Sequence, residues 1–188
     1  MASNPRPPKA HKGGSVGPAT GIQIGIMDGS GKLLSQGERG EVVIKGPNVV
    51  DGYENNPEAN ASSFTDGWFR TGDQGYLDEE GYLFLTGRLK EMINRGGEKI
   101  SPYDVEKALL MHPAVREAAA FGVPHPRLGE NVAAAVTLNP GAKAGSAELV
   151  EFIYDRLAPF QMPRQVHILD SMPVGVTGKI SRSQLARS

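Results

Sequence analysis

Four short stretches carry residue types able to handle hydroxyl, phosphate or carboxylate oxygens. In Thr71-Gly72-Asp73 a carboxylate sits beside glycine on what reads as a tight turn. So placed, it can accept hydrogen bonds from two vicinal hydroxyls, the geometry a ribose offers. Equally, Asp73 can do no more than satisfy the backbone donors of its own turn. Arg88 and Lys90 lie two apart, so on one strand they share a face. Arginine brings a rigid fork for ribose or carboxylate oxygens and lysine a movable point charge; the plainer reading is a solvated charge pattern. Gly96-Gly97 permits close backbone approach to a narrow ligand, or only a loop with positive φ. In Thr177-Gly178-Lys179-Ile180 a flexible turn can deliver Lys179 to an anion, where a cation offsets charge developing on phosphoryl and carboxylate oxygens during transfer. The alternative is a surface lysine. This stretch is not a Walker A loop, because Pro173 stands where that motif needs glycine and Ile180 where it needs Ser or Thr.

Other chemistries are poorly supplied. His11, His112, His125 and His167 are scattered without metal-ligand spacing, so no metal site is expected. The chain has no cysteine, which excludes disulfides and thiolate zinc sites and leaves the compartment open. Lys plus Arg is 20 against 21 for Asp plus Glu, so no charge bias argues for nucleic acid or a membrane surface. No run of about eighteen apolar residues spans a bilayer. The first residues lack the apolar stretch of a secretory signal, and Ala186-Arg187-Ser188 does not match the Ser-Lys-Leu peroxisomal address. The expected compartment is the cytoplasm.

The elements that must position these residues differ between the two halves. Residues 1–20 show no periodicity and read as an exposed, mobile lead-in. Ile22, Ile24 and Ile26 have the period-two spacing of a half-buried strand over 21–27, and 41–45 is a β-branched strand closed by Gly46-Pro47. Residues 53–60 read as a turn and a short helix, and 82–86 as a further strand. This half is compatible with a small β-structure. From residue 91 onward the pattern becomes a compact α+β module. Pro102 opens a helix with Asp104 in its first turn and Val105, Ala108 and Leu109 as its apolar stripe, stopped by His112-Pro113. Residues 115–123, 131–138 and 165–169 read as three strands. Leu149, Phe152, Ile153 and Leu157 keep helical spacing, with Ser146 as cap and Pro159 as terminator. A turn over 172–179 and a last short segment complete the chain.

Taken in order, these stretches resemble the adenylate-forming enzymes: acyl-CoA synthetases, luciferases and the adenylation domains of peptide synthetases. The resemblance is carried first by Gly40-Glu41-Val42-Val43-Ile44-Lys45-Gly46-Pro47 with Gly52-Tyr53, and by Gly67-Trp68-Phe69-Arg70-Thr71-Gly72-Asp73. Gly87-Arg88-Leu89-Lys90-Glu91-Met92-Ile93 follows, continuing through Ile100-Ser101-Pro102 to Val105-Glu106. Val123-Pro124-His125 with Gly129-Glu130, and Pro173 through Gly178-Lys179-Ile180 with Arg182, complete the set. It covers residues 15–185. Within the superfamily, Asn55-Asn56-Pro57-Glu58-Ala59-Asn60 and the stretch from Ile93 through Gly96-Gly97 to Pro102 are similar to oxalate–CoA ligases and 4-coumarate–CoA ligase-like enzymes.

The resemblance implies an α+β fold: a small C-terminal domain over 90–188, with a three-stranded sheet and helices, preceded over 21–89 by part of a β-barrel subdomain of the large domain. It implies that Asp73 binds both ribose hydroxyls of ATP and that Arg88 also reaches the ribose. Lys90 becomes the hinge and part of the nucleotide site. Lys179 becomes the catalytic lysine, bridging the α-phosphate of ATP and the acyl carboxylate. Gly96 and Gly97 line the path of CoA. The substrate implied is a small carboxylic acid, oxalate or an aromatic or short acid. The reaction is carboxylate plus ATP to acyl-AMP and pyrophosphate, then acyl-CoA and AMP. Members carry a phosphate loop and an adenine-binding block, the latter with the carboxylate for Mg2+, ahead of the part resembled here. The chain is therefore expected to be inactive alone and to need an N-terminal part as partner; the alternatives are half of a split enzyme and a non-catalytic interaction module. Two departures stand out. Val174-Gly175-Val176 replaces a more polar lead into the lysine turn, and Asn94 stands where some relatives have a lysine.

Residues 1–89 are expected to be the less stable half, because their strand edges lack partners within the chain. Limited proteolysis should cut before about residue 87 and leave 91–188 intact. Equal protection of both halves would count against this.

Overall fold

A computed structural model describes residues 2–5, 11–50, 52, 54, 56–176 and 178–187. Residues 6–10 of the expected lead-in, and Tyr53, Asn55 and Thr177 of the quoted motifs, lie outside the described residues. The chain divides into two compact units, Met1–Lys90 and Glu91–Ser188.

The first unit contains β1 (Gly17–Pro18), β2 (Gln23–Met27), β3 (Gly40–Lys45), α1 (Pro57–Ser63), β4 (Phe64–Thr65), β5 (Trp68–Leu77) and β6 (Tyr82–Arg88). They form one antiparallel sheet in the order β1-β6-β5-β3-β2, with β4 paired to β5. Ile26, Val42 and Leu83 are its buried cluster, with Ala2, Ile24, Leu34 and Leu77 packed against it. Helix α1 starts where its sequence dictates: the Asn56 side chain accepts the Ala59 N–H at 3.0 Å, and Pro57 occupies the first turn, where no N–H is needed.

Most of residues 11–20, expected as an exposed, mobile lead-in, are exposed, but Gly17–Pro18 within them is a strand of the sheet. Gly17 and Pro18 pair with Leu83 and Tyr82, and Ala2 bridges Ala19. Lys12 Nζ reaches Asp78 at 2.5 Å and Glu80 at 2.8 Å and lies 4.8 Å from the Tyr82 ring centre. A two-residue strand has no period to read, and its partners lie more than sixty residues away.

The second unit contains β7 (Ile93–Arg95), β8 (Glu98–Ile100), α2 (Pro102–Leu110), β9 (Val115–His125), β10 (Gly129–Leu138), α3 (Ser146–Ile153), β11 (Gln165–Ile168) and α4 (Arg182–Leu185). The three expected strands are joined by the hairpin β7–β8, giving five, in the order β11-β10-β7-β8 with β9 along β10. β10 and β11 are parallel; the other pairings are antiparallel. The apolar runs in β9 and β10 follow from burial on both faces. Ala118, Ala120, Val132, Ala134 and Val136 pack with Val105 and Leu109 of α2 and Leu149 and Ile153 of α3. The alternate residues Ala119, Phe121, Ala133 and Ala135 pack with Met172 and Leu185. Alternation along a strand thus supplies two cores. Ser146 is not the cap of α3. Gly145 holds that position, its N–H donating to Glu148 Oε2 at 3.2 Å, and Leu157 lies beyond a 3₁₀ turn that ends the helix, Tyr154–Arg156.

Two outcomes follow. Leu109 is fully buried between α2 and the sheet, so Leu109→Ala should cost about 2–5 kcal/mol of stability in urea unfolding followed by circular dichroism. Lys12 and Asp78 should hold β1 in place across the neutral range. Hydrogen bonding to Asp78 and then Glu80 pushes the Lys12 ammonium up to about 12, and Lys12 holds the Asp78 carboxyl below its ordinary value of 3.8. A lowered carboxylate contributes above its unfolded value and loses that contribution as pH falls through its folded value. The raised lysine contributes below its unfolded value and loses that only as pH rises toward about 12. In an acid titration the amide shifts of residues 12–17 should stay constant until pH drops below the ordinary carboxylate range, and Lys12→Ala should abolish that step.

Candidate functional site

Thr71-Gly72-Asp73, expected on a tight turn, is a bulge inside β5. Glu41 pairs with Gln74 and Val43 with Arg70, so residues 71–73 face the single residue Val42. Gly72 takes φ of 72°, which a side chain would resist. Its N–H donates to Glu41 Oε1 at 3.0 Å. Thr71 Oγ1 donates to Val42 O at 2.7 Å and accepts the Asp73 N–H at 3.1 Å. Glu41, only 7% exposed, is held in turn by Arg70, whose Nε and second guanidinium nitrogen reach Oε2 at 2.7 and 2.6 Å. The bulge is therefore gripped from both sides.

Asp73 emerges from this bulge opposite Arg88, the last residue of β6 and its register partner. Arg88 Nε lies 2.7 Å from Asp73 Oδ1, with side-chain exposures of 60% and 25%. A cavity of about 230 Å³ beside them is lined by Ile24, Val42, Ile44, Leu83 and Leu85, with Thr71 and Asp73 as its polar lining. A half-exposed carboxylate and a guanidinium fork at the edge of an apolar hollow can take vicinal hydroxyls and an adjacent flat group. Lys90 does not share a strand face with Arg88, as the spacing suggested. Strand β6 ends at Arg88, and Lys90 sits exposed in a 3₁₀ turn, Leu89–Glu91, as the last residue of the first unit.

In the second unit, Gly96 and Gly97 are the two central residues of the β7–β8 hairpin, with φ of 62° and 97°. Two positive φ values suit the two-residue turn that matches strand twist. The hairpin is tied down at three successive residues. The Asn94 N–H donates to Glu130 Oε2 at 2.7 Å, Arg95 Nε to Asn131 Oδ1 at 2.9 Å, and the Gly96 N–H to Leu128 O at 2.8 Å. Space beside Gly97 is open, so its backbone is approachable.

Lys179 is exposed on the return limb of a tight loop. Val174 bridges Ile180, the Gly175 N–H donates to Lys179 O at 2.8 Å, and the Ser181 N–H donates to Pro173 O at 2.8 Å. Asp73 and Arg88 are thus brought together in one unit, whereas Gly96, Gly97 and Lys179 belong to the other. Among the described residues no group of His, Asp or Glu could hold a metal ion.

The sequence reading quoted Glu41, Glu106 and Glu130 among the motifs that carry the resemblance but gave these carboxylates no role. It also expected no Gly-x-Ser-x-Gly, and that was wrong, because Gly13-Gly14-Ser15-Val16-Gly17 has the spacing of a nucleophile elbow. Ser15 Oγ donates to Leu83 O at 2.9 Å and accepts the Gly17 N–H at 2.8 Å, and a strand rather than a helix follows, so it is no such elbow.

With this geometry in place, comparison with known proteins is specific. Residues 104–179 match the AMP-binding enzyme C-terminal domain. The chain is 50% identical over 187 residues to a probable CoA ligase, CCL9, of Humulus lupulus, covering 99% of this chain and 36% of that protein. It is 48% identical over 190 residues to the oxalate–CoA ligase of Saccharomyces cerevisiae, covering 100% of this chain and 35% of that protein. The crystal structure of ATP-bound MatB from Rhodopseudomonas palustris superposes with a TM-score of 0.91 at 37% identity, covering 99% of this chain and 37% of that one. The chain spans about a third of the length of the curated relatives it matches. No described helix is long and apolar enough to cross a membrane. The chain belongs to the adenylate-forming, AMP-binding superfamily, and it carries that family's C-terminal domain.

Proposed function

We propose that this chain is the C-terminal part of an AMP-forming acid–CoA ligase and is inactive by itself. The observation that carries the reading is the Asp73–Arg88 pair, set at 2.7 Å by a gripped bulge at the edge of a hollow. In the first half-reaction Asp73 accepts hydrogen bonds from the two ribose hydroxyls of ATP, and Arg88 supports that carboxylate and reaches the ribose. Lys179, on its short hairpin loop, places its ammonium between the α-phosphate and the acyl carboxylate. There it offsets charge as the carboxylate oxygen attacks phosphorus and pyrophosphate leaves. In the second half-reaction the CoA thiolate attacks the acyl carbon and AMP leaves. Gly96 and Gly97 offer a backbone without side chains to the thiol arm. One lysine loop and one thiol path cannot occupy the same cleft together, so a rotation at Lys90 alternates them. The exposed 3₁₀ turn at the boundary between the units supports Lys90 in that role.

Among the described residues no three or more His, Asp or Glu side chains gather as a metal site, and the carboxylate for the magnesium ion that accompanies ATP is proposed to belong to the adenine-binding block outside this part. The acyl substrate proposed is oxalate or another small carboxylic acid, by similarity to relatives named as oxalate–CoA ligases.

The test is pyrophosphate exchange with ATP and oxalate. The chain alone should give none. Mixed with an N-terminal fragment that carries the phosphate loop and adenine block, it should give exchange. Lys179→Ala should then lower the rate roughly 10²–10³-fold, and Asp73→Asn should raise the KM for ATP. Exchange by the purified chain alone, or a mixture indifferent to Lys179→Ala, would overturn the reading.

A further inference from the structure

Arg182 is the most heavily engaged charged side chain of the second unit outside the residues assigned above. It opens α4, three residues beyond Lys179. One guanidinium nitrogen, Nη1, donates to Glu91 Oε2 at 2.7 Å, and Nη2 donates to Glu106 Oε1 at 2.8 Å. Nε donates to Ala120 O at 3.2 Å and lies 3.3 Å from Glu106 Oε1. Glu106 Oε1 also accepts the Ala120 N–H at 2.9 Å, and its side chain is only 12% exposed. One planar fork therefore joins the residue after Lys90, helix α2, strand β9 and the root of the Lys179 loop.

The contact to Glu91 is the one the fold does not require. Helix α4 is already held by Leu185 in the apolar core and by the Glu106 and Ala120 contacts. Along the chain from Lys90, the next buried position is Ile93 in β7. Fastening Glu91 to Arg182 moves the first anchored residue from 93 back to 91. It shortens the segment free to swivel, and the stretch left to turn is Lys90 itself. An ordinary exposed ion pair is weak. This one shares its guanidinium with a nearly buried carboxylate and a carbonyl that already fix its orientation. A lysine could not serve, because a single ammonium on a flexible stem cannot hold that fork of partners.

We propose that Arg182 is a positioning residue that couples the Lys179 loop to Glu91, so that the pivot is confined to Lys90 and the loop turns with it as one body. This rests on the reading of Lys179 and Lys90 given above. The test uses the full chain, isotopically labelled, and needs neither ATP nor CoA. Glu91→Gln removes the charge from the exposed leg alone and leaves it at most a neutral hydrogen bond. It should accelerate amide hydrogen exchange at residues 90–92 several-fold, and it should leave the exchange of α2 and the thermal unfolding midpoint unchanged. Arg182→Lys should produce the same acceleration and also raise the fast-motion signature of the Lys179 amide in nitrogen relaxation. If Glu91→Gln leaves exchange at 90–92 as in the unmodified chain, Arg182 is a staple for α4 and the proposal falls. So it does if Arg182→Lys restores normal values. Because these readouts involve no nucleotide, their failure leaves the adenylation reading standing. Failure of pyrophosphate exchange in the reconstituted enzyme would overturn that reading without touching the clamp.

Discussion

The geometry of the Asp73–Arg88 pair depends on one buried carboxylate, Glu41. A charge withdrawn from water must be paired and hydrogen-bonded, and leaving one partner alone costs about 3–5 kcal/mol when both are fully buried. Here the pairing is Arg70, which keeps 21% side-chain exposure, so the lower end applies. Arg70 is itself fastened to Thr65 Oγ1 at 3.2 Å and Asp28 O at 3.4 Å. With Oε2 taken by Arg70, Oε1 accepts the Gly72 N–H. The bulge at 71–73 thereby lets β5 satisfy Glu41 and still pair with β3 on either side of it. Asp73 meets Arg88 because of that demand.

The second unit uses the same device twice. Glu130 lies across Gly122 and accepts the Asn94 N–H, which sets the hairpin carrying Gly96 and Gly97. A β-carbon at position 122 would stand 2.4 Å from Glu130 Oε1, so a larger residue there would have to displace the carboxylate that accepts the Asn94 N–H. Glu106 accepts the Ala120 N–H and then the Arg182 fork, which sets the root of the Lys179 loop. In each case a carboxylate takes a backbone amide that a strand irregularity or edge leaves over. The unit's two-faced alanine-rich sheet supplies the rigid floor, since small side chains let α2, α3 and the tail approach closely.

This arrangement separates what must be stiff from what must move. The turns bearing Asp73, Gly96 and Gly97 are each held by several hydrogen bonds to buried or half-buried groups, as catalytic and binding backbones need. The chain passes from the first unit to the second through the exposed run from Arg88 to Glu91. The two-step reaction proposed above would call for that contrast.

Much of this was legible in the chain. Period-two isoleucines, an Asn-Pro helix start, Pro102 with Val105 and Leu109, and apolar runs at 115–123 and 131–138 each report a local preference that the fold keeps. The motif blocks beginning at Gly40, Gly67, Gly87, Val123 and Pro173, in their order, carried the resemblance to the family. What local pattern could not supply were interactions between residues far apart in the chain. The strand at Gly17–Pro18 exists through β6, the bulge through Glu41, and the end of β6 at Arg88 rather than beyond Lys90 through its pairing with Asp73. The hairpin at Gly96-Gly97 takes its anchorage from residues 128–131, and Arg182 its meaning from Glu91 and Glu106, about 90 and 76 residues earlier. By itself the sequence determined which side chains could do the chemistry and where strands and helices begin. Only the tertiary structure decided how their oxygens and nitrogens are aimed, because each aim is set by a buried group that must find its partner wherever the fold brings one.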